Sequence, residues 1–172
     1  TANTTSNNNT AVGSGALHSC TTGHENTAIG YSALGANTSG TNAVAVGYNA
    51  LASNTTGLYN VAVGMDALLQ NTTANNNVAV GMRSMFVNTT GAGNIGVGFF
   101  ALNQNTTGDG NVAIGTQALD ANTTADNNTA VGNAALGVNT TGTQNVAVGS
   151  LALDANTTAN FNTAVGYAAL GA

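Results

Sequence analysis

The stretch NVAVGMDALLQNTTANN (residues 60–76) recurs along the chain, with changes at only some of its positions. Its fifth residue is a glycine, and this glycine returns every 17 residues without a slip: Gly13, Gly30, Gly47, Gly64, Gly81, Gly98, Gly115, Gly132, Gly149 and Gly166. A fixed period of this length indicates a repeat architecture in which each unit stacks on its neighbours. The repeat is therefore interpreted before any shorter motif.

Several positions of the repeat hardly vary when it is numbered 1 to 17 from the asparagine that opens residues 60–76. Position 4 is always Val or Ile, position 8 is Ala except at Ser84, position 9 is Leu except at Met85, and position 13 is always Thr. In a stack, a constant position becomes a column along the axis, and interior columns need side chains of one size to avoid voids. We therefore expect the variable positions 6, 7, 10, 11, 16 and 17 to face water or partners.

Local sequence preferences favour short strands and turns over helices. The block N-V-A-V-G is rich in β-branched residues, which suits a strand, whereas Asn-Thr-Thr-Gly has the chemistry of a turn. The repeat shows no apolar stripe at helical spacing. We predict an all-β fold, a parallel β-solenoid (β-roll) of ten 17-residue coils with two or three short strands in each. The leucine at position 9 is expected to begin the second strand.

The composition excludes two classes of partner. Charged residues make up 4% of the chain, and a single cation, Arg83, stands against six Asp and Glu, for a formal net charge of −5. Nucleic acids are bound by clusters of Lys and Arg, so they are not expected as partners. Membrane insertion is not expected either, because no stretch of about 18 apolar residues is present.

The register at the two ends bears on domain organisation. The first residue occupies position 10 of a repeat and the last occupies position 11, so neither end carries a distinct polar cap. We expect residues 1–172 to form a single uncapped β-solenoid array, either part of a longer fibre or a subunit whose ends meet other subunits. Trimming of flanking domains is the alternative.

The strand block also suggests self-association. Alternation along Asn60-Val61-Ala62-Val63-Gly64 sends the two valines to one side and the small residues to the other. The valines then need a second apolar surface, either the Leu column of the same chain or a neighbouring chain. We expect an oligomer, most simply a trimer, or a continuous fibre, and a monomeric solenoid is the alternative.

The block at residues 42–47 (NAVAVG) or 26–30 (NTAIG) resembles the head repeats of trimeric autotransporter adhesins. The full unit, NTAVG at 128–132 followed by Ala135-Leu136 and NTTG at 139–142, also resembles repeats of phage tail-fibre-like proteins. The resemblance implies a parallel β-roll in which three chains wrap a common axis. The 17-residue coil is longer than the usual adhesin head repeat.

The Asn-Thr-Thr segments allow three interpretations. They match the N-x-[ST] acceptor pattern for glycosylation, but a stacked amide ladder at a turn explains the same regularity. A flat Asn/Thr face that binds ice is a further alternative. The asparagines predicted to form this ladder are Asn37, Asn54, Asn71, Asn88, Asn105, Asn122, Asn139 and Asn156.

Residues that support catalysis or metal binding do not recur. His18, His24 and Cys20 lie in one region, but a metal site needs three or four converging ligands and a catalytic pair needs a third orienting group. Asp109 and Asp126 share position 16 in adjacent coils, where solvation is the simpler expectation. We predict no enzyme activity, no catalytic residue, no metal site and no cofactor.

An apolar stripe at variable positions is the candidate contact surface. Position 6 carries aromatic or methionine side chains in five consecutive coils, and position 7 adds one more: Tyr31, Tyr48, Met65, Met82, Phe99 and Phe100. These residues predict either a contact between chains or fibres or a partly covered ladder within a trimer.

The sequence thus predicts a structural or adhesive segment of an extracellular fibre, such as a surface appendage, an adhesin or a phage tail-fibre shaft. Its expected partners are further copies of itself, as a homotrimer or an end-to-end filament, and a cell-surface or glycan receptor. The expected location is the cell surface or a virion. The alternative function is an ice-binding or other surface-binding solenoid that uses the Asn/Thr ladder.

Overall fold

The computed structural model describes residues 5–171. The predicted Asn and Thr columns begin at Asn3 and Thr4, and these two residues lie outside the described part, as do the first four residues and the last residue of the predicted 1–172 array. Residues 5–171 form a parallel β-solenoid, which confirms the predicted fold class.

Ten three-residue strands form a single sheet in sequence order. Every neighbouring pair is parallel, and each residue pairs with the residue 17 positions further along the chain. The strands are β1 (Thr10–Val12), β2 (Thr27–Ile29), β3 (Val44–Val46), β4 (Val61–Val63), β5 (Val78–Val80), β6 (Ile95–Val97), β7 (Val112–Ile114), β8 (Thr129–Val131), β9 (Val146–Val148) and β10 (Thr163–Val165).

The prediction of two or three strands per coil is wrong, because each coil has one strand and then a series of turns. In the coil after β4, Ala67 N–H donates to Gly64 O at 3.4 Å and Asn71 N–H donates to Leu68 O at 3.2 Å. The residue at position 9, expected to start a second strand, instead has a left-handed backbone with φ between 48° and 53° in all ten coils.

Burial of the leucine side chain explains why this backbone is tolerated. A left-handed conformation costs a non-glycine residue roughly 1–2 kcal/mol, whereas full burial of a leucine contributes about 1.5–3 kcal/mol. Leu68 and its equivalents are completely buried through the middle of the solenoid. The Leu68 N–H also donates to Ser84 O of the next coil at 3.0 Å, so the turn is held by its neighbour.

The periodic glycine at position 5 is required for two reasons. Gly64 has φ +133°, a conformation that residues with a side chain rarely adopt. A Cβ atom there would lie 2.6 Å from Gly81 O in the next coil. The strand can therefore turn sharply and stack closely at this position only with glycine.

The core consists of columns of small and aliphatic side chains. The alanines at positions 3 and 8 and the leucines at position 9 are buried along the middle coils and form one continuous cluster, with Met85 in place of one leucine. Ala62 is fully buried between Val61 and Val63, which are not. The predicted alternation is therefore confirmed, and the valines do not pack on the Leu column of the same chain.

Candidate functional site

The predicted asparagine column runs through the interior of the solenoid. Asn156 is partly exposed. The other seven residues of the column are fully buried: Asn37, Asn54, Asn71, Asn88, Asn105, Asn122 and Asn139. Asn54 Nδ2 donates to Asn37 Oδ1 at 3.0 Å and to Gly57 O at 3.1 Å. The amide ladder at the turn is therefore confirmed, and these residues are not a surface for a ligand.

A second buried asparagine column, at position 1, was not singled out from the sequence. Asn77 N–H donates to Asn60 Oδ1 at 3.0 Å, and Asn77 Nδ2 donates to Gly91 O at 2.8 Å. Asparagine occupies position 1 in nine coils, with Ala43 in the tenth, and this regularity was the available signal. Together the two columns satisfy backbone groups that the narrow interior would otherwise bury without partners.

The threonines after the ladder asparagines lie at the surface. Thr55 Oγ1 donates to Thr72 O of the next coil at 3.0 Å, whereas Thr56 is exposed. A glycan on Asn54 has no room, because its amide is buried and hydrogen-bonded. Asn127, which opens the sequence Asn127-Asn128-Thr129, is by contrast exposed.

The side chains at positions 2 and 4 form an uncharged surface, which we call the sheet face. It comprises the outward residues of β1 to β10, all of them Val, Ile or Thr. Most are half-buried by their neighbours in the stack. Ile29 and Ile114 are each 40% exposed, and Val148 is 37% exposed. A flat row of β-branched side chains on a sheet is unusual at a free surface.

The predicted aromatic stripe lies along position 6, separated from the sheet face by the glycine column. The Tyr31 and Tyr48 rings stack with centroids 5.2 Å apart at 11°, and the Phe99 and Phe100 rings meet at 4.4 Å and 47°. Tyr31, Tyr48, Met65 and Phe99 are exposed, whereas Met82 and Phe100 are half-buried. The structure therefore brings the six residues together as one surface strip.

A groove runs between the columns of positions 7 and 10. Near the start it has a volume of about 450 Å³ and is lined by residues that include Gly15, Gly35 and Ala52. In the seventh to ninth coils it has a volume of about 340 Å³, with Asp120 and Asp154 in its lining. Large side chains occupy the same two columns between these open sections.

Arg83 occupies the filled middle section of the groove. Its Nε lies 3.6 Å from Asp66 Oδ2, and its guanidinium carbon lies 5.2 Å from the Phe86 ring centre and 5.9 Å from that of Phe100. Asn49 Nδ2 also donates to Asp66 Oδ1 at 3.2 Å. A carboxylate and two aromatic rings thus hold the one cationic side chain that the sequence contains.

The remaining candidate residues have structural or surface positions. Cys20 replaces an asparagine of the ladder, is buried, and its Sγ lies 3.3 Å from Gly23 O as that amide would. His18 lines the groove and His24 is exposed. Asp126 Oδ1 accepts from Asp109 N–H at 2.7 Å, and Asp109 Oδ1 accepts from the backbone of the preceding coil. These carboxylates therefore cap backbone groups.

Within residues 5–171, neither a metal-ion cluster nor a membrane-spanning helix is present. No group of three or more His, Cys, Asp and Glu residues there is arranged to hold a metal ion. In the same residues, no helix has the length and apolar character to cross a bilayer.

Comparison of the chain with protein-family models, with curated proteins and with solved structures gives no match.

Proposed function

We propose that this chain is a structural segment of an extracellular fibre and that its copies associate through the sheet face. The observation that carries the proposal is the constancy and exposure of positions 2 and 4. These residues are β-branched in all ten strands, yet they cover no other part of the described chain. A second copy is the occupant that a repetitive, uncharged face of this length fits best.

The size of the sheet face indicates which neighbouring residues take part. Ten strands about 4.8 Å apart and two columns give a face roughly 43 Å long and about 10 Å wide. This is roughly half of the ~800 Å² per partner that a standard interface buries. The contact must therefore extend sideways, and the aromatic stripe on the adjoining column contains the Tyr, Met and Phe side chains that interfaces favour.

The arrangement of copies remains part of the proposal. The resemblance to adhesin and tail-fibre repeats favours a homotrimer, and an end-to-end filament is the alternative. The extracellular location and a cell-surface or glycan receptor are proposed on the same resemblance.

The first experiment is the solution mass of the chain by light scattering. A mass three times that of one chain supports the trimer, and a broad, concentration-dependent distribution supports the filament. A chain that stays monomeric at high concentration contradicts self-association and, with it, the proposed role of the sheet face.

A pair of matched variants locates the interface. Val80→Glu with Val97→Glu places two charges on the sheet face, and we expect the assembly to dissociate because unpaired charges are costly to bury. Thr90→Glu with Thr107→Glu adds the same charge at exposed positions of the Asn-Thr-Thr turn and should leave the mass unchanged. Equal effects of the two pairs would indicate that net charge, not the sheet face, governs assembly.

Ice binding through the Asn/Thr ladder is the weaker proposal. It needs a flat polar face, but the asparagines are interior and Thr55 uses its hydroxyl to bond the next coil. Thermal hysteresis of the purified chain measures it directly, and a clear effect would restore this alternative.

A further inference from the structure

The N-x-[ST] pattern of N-linked glycosylation occurs ten times in residues 5–171, and the fold divides these matches into two groups. Eight of them begin at the asparagine ladder of position 12. The other two, at residues 8–10 (NNT) and 127–129 (NNT), begin at position 17, where Asn8 and Asn127 are exposed. The two groups therefore share a motif and differ in their surroundings.

The ladder asparagines cannot carry a sugar in the folded chain. A sugar replaces one of the two hydrogens on Nδ2, and the ladder uses both: Asn88 Nδ2 donates to Asn71 Oδ1 at 3.1 Å and to Gly91 O at 2.9 Å. The space is closed as well, because even a methyl group on Gly91 would lie 2.6 Å from Asn88 Oδ1. The partly exposed Asn156 also donates to the ladder asparagine before it and to a backbone carbonyl.

Asn127 has the opposite surroundings. Its side chain makes no hydrogen bond with the described residues, so both Nδ2 hydrogens are available. Its backbone is held in a turn with φ 58°, which asparagine tolerates, and its N–H donates to Asp109 O at 2.9 Å. The two preceding coils have Gly110 and Gly93 in the same column, and a Cβ on Gly93 would meet nothing within 4 Å. A sugar on Asn127 would therefore project into open space.

From these observations we propose that Asn127 and Asn8 are acceptors of an N-linked sugar and that the sugar is transferred after the chain has folded. The transfer forms a bond between Asn Nδ2 and C1 of the sugar, breaks the bond between C1 and the diphosphate of an activated donor, and releases one Nδ2 proton to a base of the transferase. Transfer before folding would reach the ladder asparagines too, and a sugar there would prevent the coils from closing.

The test uses the purified folded chain, a soluble transferase that modifies N-x-[ST] asparagines, and UDP-glucose, with the modified residues located by mass spectrometry. We expect glucose on Asn127 and Asn8. Modification of a ladder asparagine requires local opening of its coil, so it should be at least about tenfold slower than that of Asn127. Unfolded peptides of residues 102–109 and 124–131 are the controls, and both should react at similar rates.

Two matched variants exchange Thr and Val in the sheet column of position 2, where both residues occur naturally. Thr129→Val removes the required hydroxyl and should abolish transfer to Asn127. Val78→Thr creates the same motif at Asn76, which is also exposed at position 17, and should add a third acceptor. The reaction is run on separated chains, since position 2 belongs to the sheet face, and its outcome is independent of whether the chain self-associates.

Coexpression of the chain with the same transferase tests the order of the two events. We expect transfer during synthesis to modify the ladder and to reduce the yield of folded chain, compared with coexpression of an inactive transferase. Folded chain with sugar on its ladder asparagines would overturn the proposed order. The acceptor assignment is overturned if Asn127 does not react although its peptide does, if the ladder reacts as fast as Asn127, or if Val78→Thr gains no sugar.

Discussion

Two apolar columns of this solenoid are equally constant in sequence and differ completely in their surroundings. The side chains of position 9 are buried within the chain, and those from Leu34 to Leu136, including the Met85 that replaces one leucine, are fully covered. The Val and Ile residues of position 4 lie on the outside of the sheet, and Val12, Ile29 and Ile114 are among the exposed large side chains. Constancy therefore has two different causes in one repeat.

The Leu column is explained within a single chain. Its side chains fill the interior, and their burial offsets the cost of a left-handed backbone at every coil. The Val column is not explained in this way, because polar β-branched threonine would pair equally well in a sheet exposed to water. This difference between the two columns is the basis of the proposal that a second copy of the chain covers the sheet face.

Truncation of the Leu column should have the largest effect on folding. We expect Leu102→Ala to lower the free energy of unfolding by about 2–5 kcal/mol, because it leaves a cavity in a narrow interior. Val97→Ala, in the same coil, should cost less than about 1 kcal/mol in the separated chain. The measurement is denaturant unfolding at a concentration where assemblies have dissociated.

Light scattering then distinguishes the two columns by their effect on assembly. Val97→Ala should weaken association of the folded chain, whereas the effect of Leu102→Ala should appear in unfolding. If both variants destabilise the separated chain equally, the sheet face is packed within the chain and the distinction between the columns is wrong.

The asparagine ladder should give an effect of intermediate size. Asn88→Ala removes the donor to Asn71 Oδ1 at 3.1 Å and leaves this buried acceptor without its partner, whereas Gly91 O loses the same donor but keeps Asn77 Nδ2 at 2.8 Å. Such a loss costs about 1–3 kcal/mol for each orphaned group. Asn88→Cys should be milder, because Cys20 already replaces an amide of the ladder. Thr90→Ala, at an exposed position of the same turn, is the control for denaturant unfolding.

The smallest effect is expected at Asp120, and its sign depends on pH. Burial raises the pKa of the Asp120 carboxyl above its ordinary value, because the charged form is poorly solvated there. The folded chain therefore binds more protons than the unfolded chain between 3.8 and the folded value, so stability falls as pH rises through that window. Asp120→Asn should therefore raise the melting temperature at neutral pH, and the difference should vanish below the ordinary pKa, where both states are protonated. Thermal unfolding at the two pH values checks this, and a lower melting temperature of the variant at neutral pH would contradict it.

The period and the local chemistry were enough to predict the coil length, the parallel stacking and the amide ladder. They were not enough to predict the path of the chain between positions 5 and 12. The pattern predicts a second strand that begins at the leucine of position 9, whereas Leu68 has a positive φ, and only its burial shows why this backbone is tolerated. The role of the Asn60 column is likewise not predicted, because Asn60 opens the strand block and does not lie in the turn where an asparagine ladder is expected.

The strict 17-residue period sets which residues share a column, since it places equivalent residues above one another whatever the shape of the coil. The tertiary structure sets which columns face inward, because that depends on the turns that close each coil. It buries the asparagines of the ladder and exposes the valines of the sheet face and the side chain of Asn127. Period is a one-dimensional property of the chain, whereas burial and clefts depend on distances between atoms of different coils.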